Sequence, residues 1–355
     1  MQLVCPQHRS VMDLASDGSA YACSSGCQYP VVRGIPRFVP ADNYANAFGA
    51  QWIAFRRTQL DSYTGVAISH DRLERLLGGD LSILKGKEVL EAGCGAGRFT
   101  EVLLQYGARV QALDISLAVE ANHENCRNYD NYAVYQASIL EPPFPPEQFD
   151  VVICVGVIQH TPDPEQTMAV LASMVKLGGL LVVDHYTHGY PVTASRRFLR
   201  RLLLNKPSWL TLNFCRLLVA LLWPIHRLLW GMCRFINDRI RPPKWASRSG
   251  SLETFWVERM QNSGYCWKLY SAWRSFSPAV DYHDAYPQLG NRLLRSWAML
   301  DMHDTLTDVY KHLRSREEII NHLESLDLEV SEAVYGGNGV EARARKPVLN
   351  SSLER

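Results

Sequence analysis

The chain lacks a long uninterrupted apolar run. Its most apolar stretch, residues 207–236, is broken by Arg216, Arg227 and Arg234. Its longest uncharged run is about ten residues, against the roughly 20 that a membrane span needs. The start, Met1-Gln-Leu-Val-Cys5, has no basic region followed by an apolar core, so no secretory signal is expected. Net charge is nearly absent: 37 Lys and Arg against 36 Asp and Glu give +1, which argues against a globally basic nucleic-acid binder. An even disulfide framework is missing as well. Nine scattered cysteines fit a reducing compartment, so a cytoplasmic protein is expected. Acids are missing locally: residues 196–248 hold twelve Lys or Arg and a single acid, Asp238. Such a block points to a partner more than the overall charge does.

The 355 residues suffice for two domains or for one domain with a large insertion. The first forty are turn-rich and cysteine-bearing, and 41–84 read as a helical lead-in. Apolar runs of strand length then fall at 88–91, 109–114, 133–136, 149–155 and 180–185, with helical stretches such as 98–106 and 165–175 between them. Strands alternating with helices predict an α/β fold with helices on both faces of a parallel sheet. The alternation stops near His188 and resumes at Ser315-Arg-Glu-Glu318, a capping box opening a helix over 316–326. Runs at 328–334 and 339–345, split by Gly336-Gly-Asn, read as a hairpin. The expected organisation is a small N-terminal segment (1–40), the lead-in (41–84), a core (85–187 and 315–347), a helical substrate or lid insertion (188–314) and a disordered tail (348–355).

Val89-Leu-Glu91-Ala-Gly93-Cys-Gly95-Ala-Gly97-Arg-Phe-Thr reads as strand, tight turn and helix, where glycines let a ligand approach the backbone. The strand Val110-Gln-Ala-Leu-Asp114 ends in an acid placed to accept from ribose hydroxyls. A dinucleotide site would want a third glycine at position 98, which is arginine. A carboxylate at Glu91 would repel a pyrophosphate and suits a ligand bearing an amino group and a sulfonium.

These motifs resemble the class I S-adenosylmethionine-dependent methyltransferase family over 85–186 and again over 315–347. The resemblance implies a Rossmann-like, doubly wound, seven-stranded, mostly parallel sheet with S-adenosylmethionine as cofactor. It places Glu91, Gly93, Gly95 and Gly97 on the cofactor's methionine part, Asp114 on its ribose, and Ile115, Ser138 and Ile139 along the adenine side, with Val155 as a further cofactor contact. Ser138 stands where many members carry Asp. Phe48-Gly-Ala-Gln-Trp52 and Thr58-Gln-Leu-Asp61 resemble a lead-in that some members fold over the cofactor, with Trp52 and Gln59 as contacts. Aromatic residues at that spacing also serve as core.

The segment Val155-Gly-Val-Ile-Gln-His160 resembles small-molecule and sugar methyltransferases, and lacks the Asn/Asp-Pro-Pro-aromatic signature of enzymes that methylate base amines. A hydroxyl must lose its proton as it attacks a sulfonium methyl, which an imidazole can accept. His160 and His185 are the candidate catalytic bases; each can also be a packed or capping histidine, and proximity alone can drive the step.

Cys5-Pro-Gln-His8 and Cys23-Ser-Ser-Gly-Cys27 offer four soft ligands for a tetrahedral zinc, which would be structural because no position stays open. In so short a segment the metal would replace a core. The segment resembles the small zinc ribbon of methyltransferase activator subunits, most closely at Tyr29-Pro-Val-Val-Arg-Gly34-Ile-Pro36. His8 in place of the usual cysteine, and the wider second pair, leave open a ribbon that kept its shape without metal.

Arginines with Trp223, Trp230 and many leucines make the insertion either a basic amphipathic surface for the inner face of a membrane or a lid packed on the core. Three functions are expected in order. The first is methylation of an oxygen, ahead of a carbon or nitrogen, on a glycan, glycolipid or secondary metabolite, with a small-molecule, glycan or lipid-linked acceptor as partner. The second is RNA methylation, opposed by the near-neutral charge and the missing amine signature. The third is a non-catalytic cofactor-binding scaffold.

Overall fold

The computed structural model describes residues 1–190, 192–236 and 265–348. Four short strands, β1 (Met12–Leu14), β2 (Ala20–Cys23), β3 (Gln28–Val32) and β4 (Ile35–Pro36), form an antiparallel sheet in chain order. This ribbon leans on its neighbours. The Val4 amide donates to the Pro143 carbonyl (3.0 Å) and the Phe38 amide to that of Gln136 (2.8 Å). Arg9 donates to the carbonyls of Pro142 (2.8 Å) and Phe144 (2.7 Å). Leu3, Met12, Tyr29 and Phe38 share one apolar cluster with Tyr135, Phe144 and Phe149. The expectation that metal alone stands in for a core is thereby revised, because the edge of the large sheet supplies one.

Three helices lead in: α1 (Asn46–Ala54), α2 (Asp61–Thr64) and α3 (Ile68–Leu76). The large sheet is built from β5 (Glu88–Ala92), β6 (Arg109–Asp114), β7 (Tyr132–Gln136), β8 (Phe149–Cys154), β9 (Val175–Tyr186), β10 (Glu329–Gly336) and β11 (Gly339–Arg345). Helices α4 (Arg98–Gln105), α5 (Ala118–Cys126) and α6 (Pro164–Met174) connect its first strands. The seven strands run β10-β11-β9-β8-β5-β6-β7, with β11 antiparallel to both its neighbours and the other pairs parallel. Alternate residues feed two cores: Leu90, Val152 and Leu181 on one face, Val89, Val151 and Val182 on the other. Burial on both faces is why these strands read as nearly continuous Val, Ile and Leu. Strand order reverses beside β5, and that reversal opens a crevice at the carboxyl ends of β5 and β8.

The insertion contributes α7 (Ala194–Leu203), α8 (Ser208–Ile236), α9 (Tyr265–Phe276) and α10 (Asn291–Thr307). Cys215, Val219 and Trp223 of α8 pack on Trp297, Ala298 and Met302 of α10. The sequence-based view of membrane length needs correction. Among the described residues one helical stretch, Ser208–Cys233, is long and apolar enough to cross a membrane by length and composition. Arg216 and Arg227 interrupt the uncharged run without ending the helix, since an arginine can carry its charge outward along an apolar stem. The expected tail beyond Val348 lies outside the described residues, as do Arg239, Arg241, Lys244 and Arg248 of the basic block.

The chain returns to the sheet where the Arg314 amide donates to the Tyr186 carbonyl (2.9 Å). There α11 (Arg316–Ser325) opens with the expected capping box: Ser315 Oγ accepts from the Glu318 amide (3.1 Å) and Glu318 Oε2 from the Ser315 amide (2.7 Å). Strands β10 and β11 close the predicted hairpin between Gly336 and Gly339.

Candidate active site

A cavity of about 1110 Å³ begins at the crevice and extends to α7, α9 and α10. Glu91, Gly93, Gly95, Asp114, Ile115, Ser138, Ile139, Val155, Trp52, Gln59 and His160, all candidates from the sequence, are among the residues that line it. Gly97 and His185 are not.

The glycine turn is tight for steric reasons. Gly93 has φ of 80°, and a Cβ there would lie 2.3 Å from Val157 Cγ2. A Cβ on Gly95 would lie 3.2 Å from the Trp52 ring. Gly97 instead caps α4 and packs on Cys126 and Asn122, so its expected place on the cofactor is corrected: it lets the turn enter the helix beside α5. The Gly95 amide donates to Asp114 Oδ2 (2.9 Å), while Ser116 donates its amide (2.8 Å) and hydroxyl (2.7 Å) to Oδ1. Turn and acid are thus joined directly. Burial raises the pKa of Asp114, opposed by these bonds.

Glu91 is buried and accepts from Thr100 Oγ1 (2.5 Å). Burial, with the Asp114 charge adding to it, pushes its carboxyl up to about 8. A protonated Glu91 has little to offer a cation, whereas an ionised one attracts it. Affinity for a cationic nucleoside is therefore expected to rise with pH until about 8 and then level off, by up to about tenfold per unit. Calorimetry from pH 6 to 9 on the protein and on Glu91→Gln, in which the slope should vanish, checks this.

The lead-in covers the turn through Arg98, the residue that excluded a dinucleotide motif. Arg98 donates to Gln59 Oε1 (2.9 Å) and to Ser69 Oγ (3.2 Å), and burial, aided by Arg72, lowers its pKa to about 10. Gln59 therefore holds the cover as well as lining the cavity. Arg72 pairs with Asp184 (2.6 Å) and Arg75 with Glu341 (2.8 Å), tying α3 to β9 and β11. Ser138 Oγ accepts from the Leu140 amide (3.2 Å) and lines the cavity beside Ile139 and Leu140.

His160 ends a short turn after β8. Its Nδ1 lies 3.1 Å from the Tyr310 carbonyl oxygen and 3.4 Å from Asp308 Oδ2. Its ring packs between Phe48 and Tyr186. Burial alone would lower its pKa; the Asp308 and Asp304 carboxylates outweigh that and raise it. Asp308 is itself gripped by Arg200 (2.7 Å) and Lys311 (2.9 Å). His185 is different. Strand alternation sets it opposite Asp184 and Tyr186 and away from the cavity, its Nδ1 sits 2.8 Å from the Tyr186 carbonyl oxygen, and burial pushes it down to about 4. The expectation that His185 works beside the cavity is not met, and the packed-histidine alternative describes it.

Sequence reading missed the far end of the cavity. Tyr186 and Tyr190 stack there at 4.0 Å, opposite Asp301 and Asp304 of α10. Burial drives Asp301 to about 7 although the Tyr282 hydroxyl donates to it. Burial also raises Asp304, whose Oδ1 has no hydrogen-bond partner among the described residues. The acids' one-turn spacing on α10 was visible in sequence, but not which face it turned inward.

In the ribbon, His8 Nδ1 lies 3.6 Å from Cys5 Sγ, 3.6 Å from Cys23 Sγ and 3.5 Å from Cys27 Sγ, and all four ligand atoms lie within 4.8 Å of one another. Zinc bond lengths at tetrahedral angles give an S···N edge of about 3.6 Å. The four residues fit zinc. Cys5, Cys23 and Cys27 are free of disulfide bonds.

A family model described as a methyltransferase domain matches residues 90–183. The chain is 35% identical over 102 residues to a ubiquinone biosynthesis O-methyltransferase of Coxiella burnetii, covering 28% of this chain and 43% of that protein. It is 40% identical over 100 residues to the protein of the same name in Pseudomonas entomophila, covering 27% and 43%. The chain thus spans less than half the length of these curated relatives. Among solved structures, an N-methyltransferase of Bradyrhizobium japonicum in complex with S-adenosyl-L-homocysteine is 25% identical with a TM-score of 0.30, over 32% of this chain and 60% of that one. With the glycine turn, its two acids and the seven-stranded sheet in place, the segment from residue 90 to 183 is a class I methyltransferase domain of the S-adenosylmethionine-dependent kind.

Proposed function

We propose that the protein transfers a methyl group from S-adenosylmethionine to a hydroxyl oxygen of a small-molecule, glycan or lipid-linked acceptor. The observation that carries this reading is His160, which lines the cavity with Nδ1 held by Tyr310 and Asp308 and, among the described residues, no hydrogen bond at Nε2. Glu91, Asp114 and the bare turn at Gly93 and Gly95 suit the cofactor, which supplies an electrophilic methyl when bound and leaves as S-adenosylhomocysteine. His160 Nε2 takes the hydroxyl proton as the oxygen attacks, and Asp308 stabilises the imidazolium that results. Asp304, lacking a donor at Oδ1, and Asp301 accept from acceptor hydroxyls and orient them. The relatives' names, both O-methyltransferases, support oxygen as the atom. Incubation with methyl-labelled cofactor and a panel of phenols, polyols and amines tests it. Label in an alkali-stable ether is expected, and label confined to amines or esters overturns it.

We also infer that Cys5, His8, Cys23 and Cys27 hold one structural zinc. Metal analysis should find about one equivalent per chain, and chelation should lower the melting temperature. Protein purified without chelator and free of zinc would refute this.

A further inference from the structure

We propose that the outward side of α7, α8 and α9 is a docking face for an anionic lipid bilayer, on which the protein lies without crossing. On α8, Trp209, Leu217, Leu221 and Leu228 are 68, 56, 61 and 63% exposed. At roughly 100° per residue, Leu210, Leu217, Leu221, Leu228 and Met232 form one strip, with Arg216 and Arg227 along its edge beside Trp209. Phe198 and Leu202 of α7 and Leu269 and Phe276 of α9 are exposed too. The elements adjoin: Ser195 Oγ donates to the Phe276 carbonyl (2.6 Å), and Trp230 of α8 packs on Trp267 and Tyr270 of α9. Exposed apolar side chains gathered on three adjoining helices mark an interaction site.

Charge selects the occupant. No Asp or Glu occurs from residue 185 to 237 or within α9, while Arg197, Arg201, Lys206, Arg216, Arg227 and Lys268 are exposed there. Leucines framed by arginines and an interfacial tryptophan are what acyl chains under anionic headgroups require. A second copy of the same face would instead set arginine against arginine. The inward side of α8 explains why the helix lies on the bilayer. Thr211 Oγ1 meets His303 Nε2 (2.9 Å), Trp223 Nε1 donates to Asn291 (2.8 Å), and His226 bridges Asp281 (2.7 Å) and Ser277 (2.8 Å). Crossing a membrane would tear these buried polar pairs apart. Because α7 and α9 also wall the acceptor end of the cavity, docking sets that end beside the bilayer.

The full chain is tested by co-sedimentation with phosphatidylcholine vesicles, with and without about one-third phosphatidylserine. Binding should be at least about tenfold tighter with the anionic lipid and weaken with salt. Leu217→Glu with Leu221→Glu should abolish it, and Arg201→Glu with Arg216→Glu and Arg227→Glu should remove the dependence on phosphatidylserine. Calorimetric binding of S-adenosylhomocysteine certifies that each variant is folded, and Leu221→Glu alone serves if the double variant is not. No vesicle binding by the unaltered protein overturns the proposal. So does equal binding by folded variants, or lipid-free self-association that Leu221→Glu abolishes without loss of vesicle binding. These readouts need no methyl transfer, so they fail or succeed apart from the proposed reaction.

Discussion

His160→Asn is expected to slow methyl transfer by roughly 10²–10⁴-fold while changing cofactor affinity less than about twofold. Asparagine keeps a polar group toward Tyr310 but cannot accept the hydroxyl proton. The split between turnover and binding is what separates a base from a residue that merely shapes the pocket. His160 must be neutral to act, and Asp308 and Asp304 raise its pKa, so activity should climb with pH through that raised value. Asp308→Asn removes one of those charges. It should therefore move the acid limb of the profile to lower pH, and an unmoved limb would show that another group sets it.

Gly93→Ala is expected to carry the second large effect, on cofactor binding and on stability together. The added methyl would lie 2.3 Å from Val157 Cγ2 at a φ of 80°. Overpacking of this kind costs about 1–3 kcal/mol, and the left-handed conformation adds roughly 1–2 kcal/mol for a residue with a Cβ. The melting temperature should fall, and cofactor affinity should drop by about 100-fold as the turn is pushed out of shape. Adding Val157→Ala should return the steric part and leave the conformational part. Full recovery in the double variant would mean the backbone angle matters less than the clash; no recovery would mean the reverse.

These two residues differ in how they could be found. Gly93 was legible because the turn, the strand before it and the helix after it are local, and only glycine meets that geometry cheaply. Asp114 was legible for a related reason, since the end of the adjacent parallel strand must lie next to the turn. His160 and His185, by contrast, looked alike along the chain. Strand alternation puts residue 185 opposite 184 and 186, but which side looked on the cavity depended on α1 and α10 packing there. Tyr186, Tyr190, Asp301 and Asp304 went unnoticed because they meet across more than one hundred residues, and helix-period spacing reads the same for a core face as for a cavity wall. The ribbon was recognised by its ligands, yet its reliance on Phe144 and Tyr135 showed only once the sheet edge was seen.

From its own residues the chain determined the order of strands and helices, the cofactor cradle and the four soft ligands of the ribbon, because each rests on contacts between near neighbours or adjacent strands. The tertiary structure alone decided which histidine lines the cavity, which tyrosines and acids share its wall, and which side of a long apolar helix stays uncovered. Those outcomes depend on the direction of side chains across distant packed elements, and such directions exist only after the chain has folded.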